Sequence, residues 1–169
     1  MRKQISVWVL AASMAVAACS QPQVSDNTSV DPVDGVHWDV VTLKSQDGRL
    51  TLNVLCHDGA TKIMIIADHH LTNEDGVEVI GRFGTDQNNV PKSTWQTATN
   101  EKSIIYDGDT DAFIKGLLGQ PEFAVRVTPV GSDTIETSFD TSGFGDALAR
   151  HSDKCGWGDL LKAAPKAGA

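Results

Sequence analysis

The chain predicts a mainly β protein, a small antiparallel β-sandwich or barrel-like domain with two short helices, closed by a disulfide. Three observations carry that expectation. Residues 49–56 (RLTLNVLC) alternate apolar and polar without interruption, placing Leu50, Leu52, Val54 and Cys56 on one face. Further apolar runs of strand length recur between turn signals such as Asp47-Gly48 and Gly131-Ser132-Asp133. Two stretches alone take helical spacing, so helices should be accessories to the sheets.

The first eighteen residues read as an address. Arg2 and Lys3 give a positive start, and the stretch from Ile5 to Ala18 is apolar apart from Ser6 and Ser13. That run is shorter than the roughly 20 residues a helix needs to span a bilayer, and it has the length of a signal-peptide core. It ends Val16-Ala17-Ala18-Cys19, small residues before a cysteine, which resembles a bacterial lipobox. On this reading residues 1–18 are a lipoprotein signal peptide and the Cys19 thiol carries lipid, palmitate included. The rival is an ordinary secretory signal with Cys19 incidental. Ser20 follows, not the Asp that would suggest inner-membrane retention. The expected location is the outer membrane, facing the periplasm. Residues 19–35, polar and holding two prolines, read as a flexible tether.

The folded domain is expected over residues 36–158. His37 to Leu43 is a strand candidate, and Asp47-Gly48 turns the chain into the alternating 49–56 run. After His57-Asp58-Gly59, Lys62 to Ala67 is continuously apolar, as for a central strand covered on both faces. These three make an antiparallel meander. Val77 to Phe83 returns as a fourth strand, and short strands follow near Thr94–Thr97 and Ser103–Tyr106. A helix is predicted within 107–119, with Asp109 or Thr110 as N-cap and Phe113 and Leu117 inward. Phe123–Val130 and Thr134–Phe139 form a hairpin, and a second helix covers Gly145 to about Ser152. Residues 159–169 read as a disordered tail.

Three cysteines are an odd number for an exported chain. With Cys19 lipidated, Cys56 and Cys155 remain, and in an oxidising compartment the favoured reading is a disulfide. A reactive Cys56 beside His57 is the rival, disfavoured because adjacent strand residues point to opposite faces. Two buried free thiols are the remaining alternative. The formal charge of −8 argues against nucleic acid, since phosphate binding needs clustered Lys and Arg.

Candidate chemistry is sparse. Asp107-Gly108-Asp109-Thr110-Asp111 has the alternating carboxylates of a calcium loop, yet Ala112 and Leu118 stand where an EF-hand needs Gly and Glu. Asp68-His69-His70 and His57-Asp58 lack the spacing that turns two histidines toward one zinc ion. No G-x-S-x-G elbow is present, and neither Gly81–Gly84 nor Gly116–Gly119 is a phosphate loop. No catalytic residue, metal or cofactor is assigned. Arg82 and Arg126 stand inside apolar strands, where an unpaired charge is costly to bury. They either face solvent or pair with carboxylates, or serve with Trp95 as anchors of a binding face.

Trp38, Leu50-x-Leu52 with Cys56, Arg82-Phe83, Trp95, Phe113-x-x-x-Leu117, Val125-Arg126, Phe139, Ala147 and Cys155-x-Trp157 follow a progression that resembles the C-terminal β domain of the VasI-like (TagO) family. Members are small exported proteins associated with type VI secretion loci and also found in prophages. Larger members carry an N-terminal cysteine-containing segment, in whose place this chain has the lipobox and tether. The resemblance implies an envelope accessory protein and supplies no catalytic residues. The expected function is therefore a non-catalytic lipoprotein module that binds an envelope protein or a cell-wall component. The alternative is an acidic inhibitor or immunity protein directed at a basic cell-wall hydrolase or toxin.

Overall fold

The structure is a computed structural model that describes residues 23–71, 77–84, 95–98, 101–129 and 133–164. The expected meander is present as β2 (His37–Lys44), β3 (Leu50–His57) and β4 (Ala60–Ala67), each antiparallel to the next. Alternation decides the register. Val41, Leu43, Leu50, Leu52, Val54, Ile63 and Ile65 all turn inward and are buried. The β3–β4 turn uses Asp58 at φ 48° and Gly59 at φ +77°, the paired left-handed conformations of a tight hairpin whose twist matches its strands.

Four expectations are corrected. The segment read as a tether contains strand β1 (Val24–Val30), paired along its whole length with β2. Its inward positions are Val24, Asp26 and Thr28, so a largely polar edge strand gives no apolar alternation to recognise. β4 is buried on one face only, through Ile63, Ile65 and Ala67, while Met64 and Ile66 remain half-buried on the other. β5 (Val77–Phe83) does not extend the meander. It crosses to a second sheet and pairs with β8 (Glu122–Pro129), which pairs in turn with β9 (Ile135–Asp140). The place beside β4 goes to β7 (Ser103–Tyr106), with β6 (Trp95–Thr97) outside it.

The result is a six-stranded sheet, β1-β2-β3-β4-β7-β6, and a three-stranded sheet, β5-β8-β9, all antiparallel. They meet at one corner, where Ser45 bridges Phe139 and the Gln46 amide donates to the Ser138 carbonyl at 2.8 Å. Between the sheets lies one apolar core, to which Phe83, Phe113, Phe123 and Phe139 contribute a chain of ring contacts 4.9–6.0 Å apart.

Helix count is the fourth correction: four, not two. α1 (Thr110–Gly119) is the expected one, capped by the Asp109 carboxylate, which accepts from the Ala112 amide at 3.0 Å. Gly116 lets α1 approach the second sheet, because a Cβ there would lie 2.6 Å from the Phe83 ring. α2 (Phe144–Ala149) matches the second expectation closely. α3 (Ser152–Cys155) and α4 (Gly158–Ala163) are too short to display a helical period. α4 falls in the stretch read as a tail, and it is ordered by Leu160 and by the buried indole of Trp157, whose Nε1–H donates to Thr61 Oγ1 at 2.9 Å. The fold thus extends from β1 to α4, beyond both expected limits.

Candidate functional site

Cys56 and Cys155 are joined as a disulfide, with their Cα atoms 5.8 Å apart. The bridge ties the end of β3 to the end of α3. Beside it the fold assembles a charged cluster. Asp39 lies on the core-facing side of β2 with Val41 and Leu43, and its strand partner is Cys56. His151, at the α2–α3 junction, contacts Asp39 Oδ1 through Nδ1 at 2.9 Å and Asp26 Oδ2 through Nε2 at 3.0 Å. The Thr28 hydroxyl donates to the same Asp39 oxygen at 2.8 Å. Arg150 Nε spans the two Asp26 oxygens at 3.0 and 3.1 Å.

Both carboxyls ionise below their ordinary range. For Asp26 the strongest cause is the hydrogen bond from Arg150; burial opposes it, and His151 adds to it. For Asp39 burial pushes upward as the largest single effect, and the hydrogen bonds from Thr28 and His151, with the nearby charges of Lys154 and His151, together outweigh it. Chemically the cluster is closed. Both ring nitrogens of His151 are engaged by carboxylates, so the arrangement clamps β1 and β2 to α2 and α3 rather than activating a nucleophile. The His57 ring is similarly engaged, Nδ1 on the His37 carbonyl at 3.0 Å and Nε2 on Asp58 at 3.3 Å.

The arginines singled out in the sequence occupy the opposite kind of environment. The outward face of the three-stranded sheet carries Ile80 and Arg82 from β5, Ala124 and Arg126 from β8, and Glu136 from β9. Ile80, Arg126 and Glu136 form one cross-strand row, and Arg82, Ala124 and Ser138 the next. Short side chains at Ala124 and Ser138 sit among longer ones, and a cavity of 340 Å³ opens there, lined by Ile80, Arg82, Ala124, Arg126 and Glu136 among others. Arg126 Nε donates to Glu136 Oε1 across the strands. Arg82 is half-buried, and its Nε is out of contact with solvent and has no hydrogen-bond partner among the described residues. Diagonal neighbours on adjacent strands stand about 7–8 Å apart, so both guanidinium groups fall within the span of one small ligand.

Trp95 is not part of that face. It packs against Tyr106 at 5.3 Å and Phe113 at 6.1 Å, at the β6 margin of the other sheet. An aromatic residue in a short strand looks the same in sequence whether it anchors a ligand or closes a core. Asp109 in the acidic run is the α1 cap, and Asp107 accepts from Gln96 Nε2 at 2.7 Å. Among the described residues, no group of three or more His, Cys, Asp and Glu side chains is arranged to hold a metal ion. Cys19 and the leader lie outside the described residues.

The sequence reading missed the Asp26–Asp39–His151–Arg150 cluster. The one local signal was the parity of Asp39, which shares its face with Val41 and Leu43; the partners are 112 and 125 residues apart along the chain. No family model, curated protein or solved structure matches this chain.

Proposed function

We propose that this chain is a non-catalytic binding or accessory module of the bacterial envelope, held at the outer membrane by lipid on Cys19 and facing the periplasm. The observation that carries the binding role is the outward face of the three-stranded sheet. It is a hollow at the surface lined by Arg82, the exposed Ile80 and the Arg126–Glu136 pair. A concave patch that gathers apolar and charged side chains at the surface is the kind of place where proteins bind ligands and partners. The lipoprotein part rests on the charge, apolar run and Val16-Ala17-Ala18-Cys19 order of the leader.

The test is photocrosslinking in intact envelopes. A photoreactive residue at Thr128, on the arginine-bearing face, is expected to trap one discrete envelope component; the same residue at Asn53, outward on β3, is expected to trap none. Equal yields at the two positions would remove the face from the reading. Cys19→Ser should move the chain out of the membrane fraction, and persistence there would overturn the lipid anchor. A basic hydrolase trapped at low salt and lost at high salt would replace the accessory role with that of an inhibitor.

A further inference from the structure

We propose that the domain rests on the phospholipid surface of the outer membrane by one end, that of the β2–β3 turn, with Lys44, Arg49 and Lys102 at the headgroups. The proposal rests on the reading of Cys19 as the lipid site and adds which surface of the domain that lipid brings to the bilayer. A flexible segment over residues 19–35 would reach about 55 Å and impose no orientation. The structure ends that freedom at Gln23. Its carbonyl accepts from the Lys44 amide at 2.9 Å, and β1 is paired with β2 from Val24 onward. Asp26 also ties β1 to Arg150 and His151. Only residues 20–22 then separate Cys19 from the fold, and that link reaches at most about 14 Å in any conformation.

Strand geometry converts the reach into an orientation. Val24 pairs with Leu43 and Val30 with His37, so β1 runs from the Lys44 end of the sheet to the opposite end. From Gln23 to Val30 it spans about 22 Å. With the opposite end against the headgroups, Gln23 would stand farther away than its link can reach. The Lys44 end therefore faces the bilayer. Lys44 lies opposite Thr51, Leu50 lies opposite Ala67, and the Ala67 amide donates to the Lys102 carbonyl at 2.9 Å, which brings the three basic residues to this end.

Charge agrees with length. Lys44 and Arg49 are exposed, and the carboxylates beside them each contact a basic side chain: Asp47 with Arg49, Asp68 with His69, Glu101 with His70. Towards the opposite end Asp31, Asp34, Asp58 and Asp153 outnumber Lys62 and Lys154. A domain tilted onto β1 would bring Asp31 and Asp34 to an anionic leaflet. Each basic side chain near such a leaflet strengthens association about fivefold, within a Debye length of about 8–10 Å.

The experiment uses the mature, lipidated chain in nanodiscs of phosphatidylethanolamine and phosphatidylglycerol, some of whose lipids carry a gadolinium chelate on the headgroup. Paramagnetic broadening falls steeply with distance, so it reads which amides lie near the surface. The amides of Lys44, Gln46 and Gly48 are expected to lose most of their intensity, and those of Val33 and Gly59 to keep it. Lys44→Glu with Lys102→Glu should reduce the losses at Gln46 and Gly48. Lengthening the link by a run of Gly and Ser after Ser20 should narrow the difference between the two ends.

Equal broadening at the two ends, or greater broadening at Val33 and Gly59, would overturn the proposal. So would unchanged losses at Gln46 and Gly48 in a double charge reversal whose amide spectrum remains folded, since the link alone would then hold this end without headgroup contact. Mass spectrometry of the same sample separates the docking from the reading beneath it. A chain that lacks acyl mass and leaves the nanodiscs rejects lipid on Cys19; an acylated chain broadened equally at both ends rejects the docked end alone.

Discussion

Arg150 and Arg82 each belong to a cluster of guanidinium and carboxylate groups, and the two clusters are finished differently. Arg150 meets Asp26, which also meets His151, which meets Asp39, which meets Thr28. Every group there has a partner, and together they join β1, β2, α2 and α3. On the three-stranded sheet Arg126 is paired with Glu136, and the Nε of Arg82 beside them has no hydrogen-bond partner among the described residues. The same chemistry therefore does two jobs. A satisfied network fixes one arrangement of the backbone, whereas the second cluster leaves the Nε of Arg82 unmatched among the described residues and so ties fewer elements together.

That contrast predicts a graded set of responses to perturbation. The largest lies on the clamped side. Replacing Cys56 and Cys155 together by serine removes a cross-link spanning 99 residues, and the chain-entropy model gives a loss of about 4–5 kcal/mol. Urea unfolding of the oxidised chain against the double variant measures it; an unchanged midpoint would remove the bridge from the stability of this end.

Next is the cluster itself. Asp39→Ala strips the acceptor from His151 Nδ1 and Thr28 in a buried position and should cost about 2–3 kcal/mol. Acid offers a gentler version. Asp26 and Asp39 ionise lower in the folded chain than in the unfolded one, so the unfolded state takes up protons first as pH falls. The stability they lend is complete above their unfolded values, near pH 4, and disappears as pH falls through the depressed folded values. Asp47, held at about 2 by Arg49, Ser45 and Thr137 against the effect of burial, adds to the same acid loss. Thermal unfolding from about pH 5 down to about pH 2 should therefore show a steep loss in the parent chain and a shallower one in Asp39→Asn. Parallel profiles would mean that Asp39 does not carry the linkage.

The smallest effect belongs to Arg82. Arg82→Gln should change stability by no more than about 0.5 kcal/mol, because its Nε has no hydrogen bond to lose among the described residues. A loss comparable to that of Asp39→Ala would make the two clusters alike and assign Arg82 to the scaffold.

Much of the scaffold is legible in local pattern. The 49–56 alternation, the Asp-Gly turns and the Asp109 cap each depend on neighbours within a few residues, and each appears in the structure. The sequence was silent where an element is defined by distant partners. β1 has little apolar content because its inward side meets Arg150 and His151, more than 120 residues away along the chain. β5 has the alternation of a meander strand, and nothing local states that its hydrogen bonds go to β8. α3 and α4 are ordered by the burial of Cys155, Trp157 and Leu160, not by their own periodicity.

The candidate site divides in the same way. Sequence alone identified Arg82 and Arg126 as charges within apolar strands, where burial without a partner is costly, and left open whether they face solvent, pair with carboxylates or anchor a binding face. It also made Cys56 and Cys155 the pair to be joined, by the arithmetic of what remains once Cys19 is set aside. Only tertiary structure decided that Arg126 has Glu136 while Arg82 has no such partner among the described residues, that Trp95 belongs to the aromatic core, and that His151 closes a clamp. Those outcomes depend on which strands lie side by side, and strand pairing is fixed by the burial of the whole core rather than by any stretch of the chain.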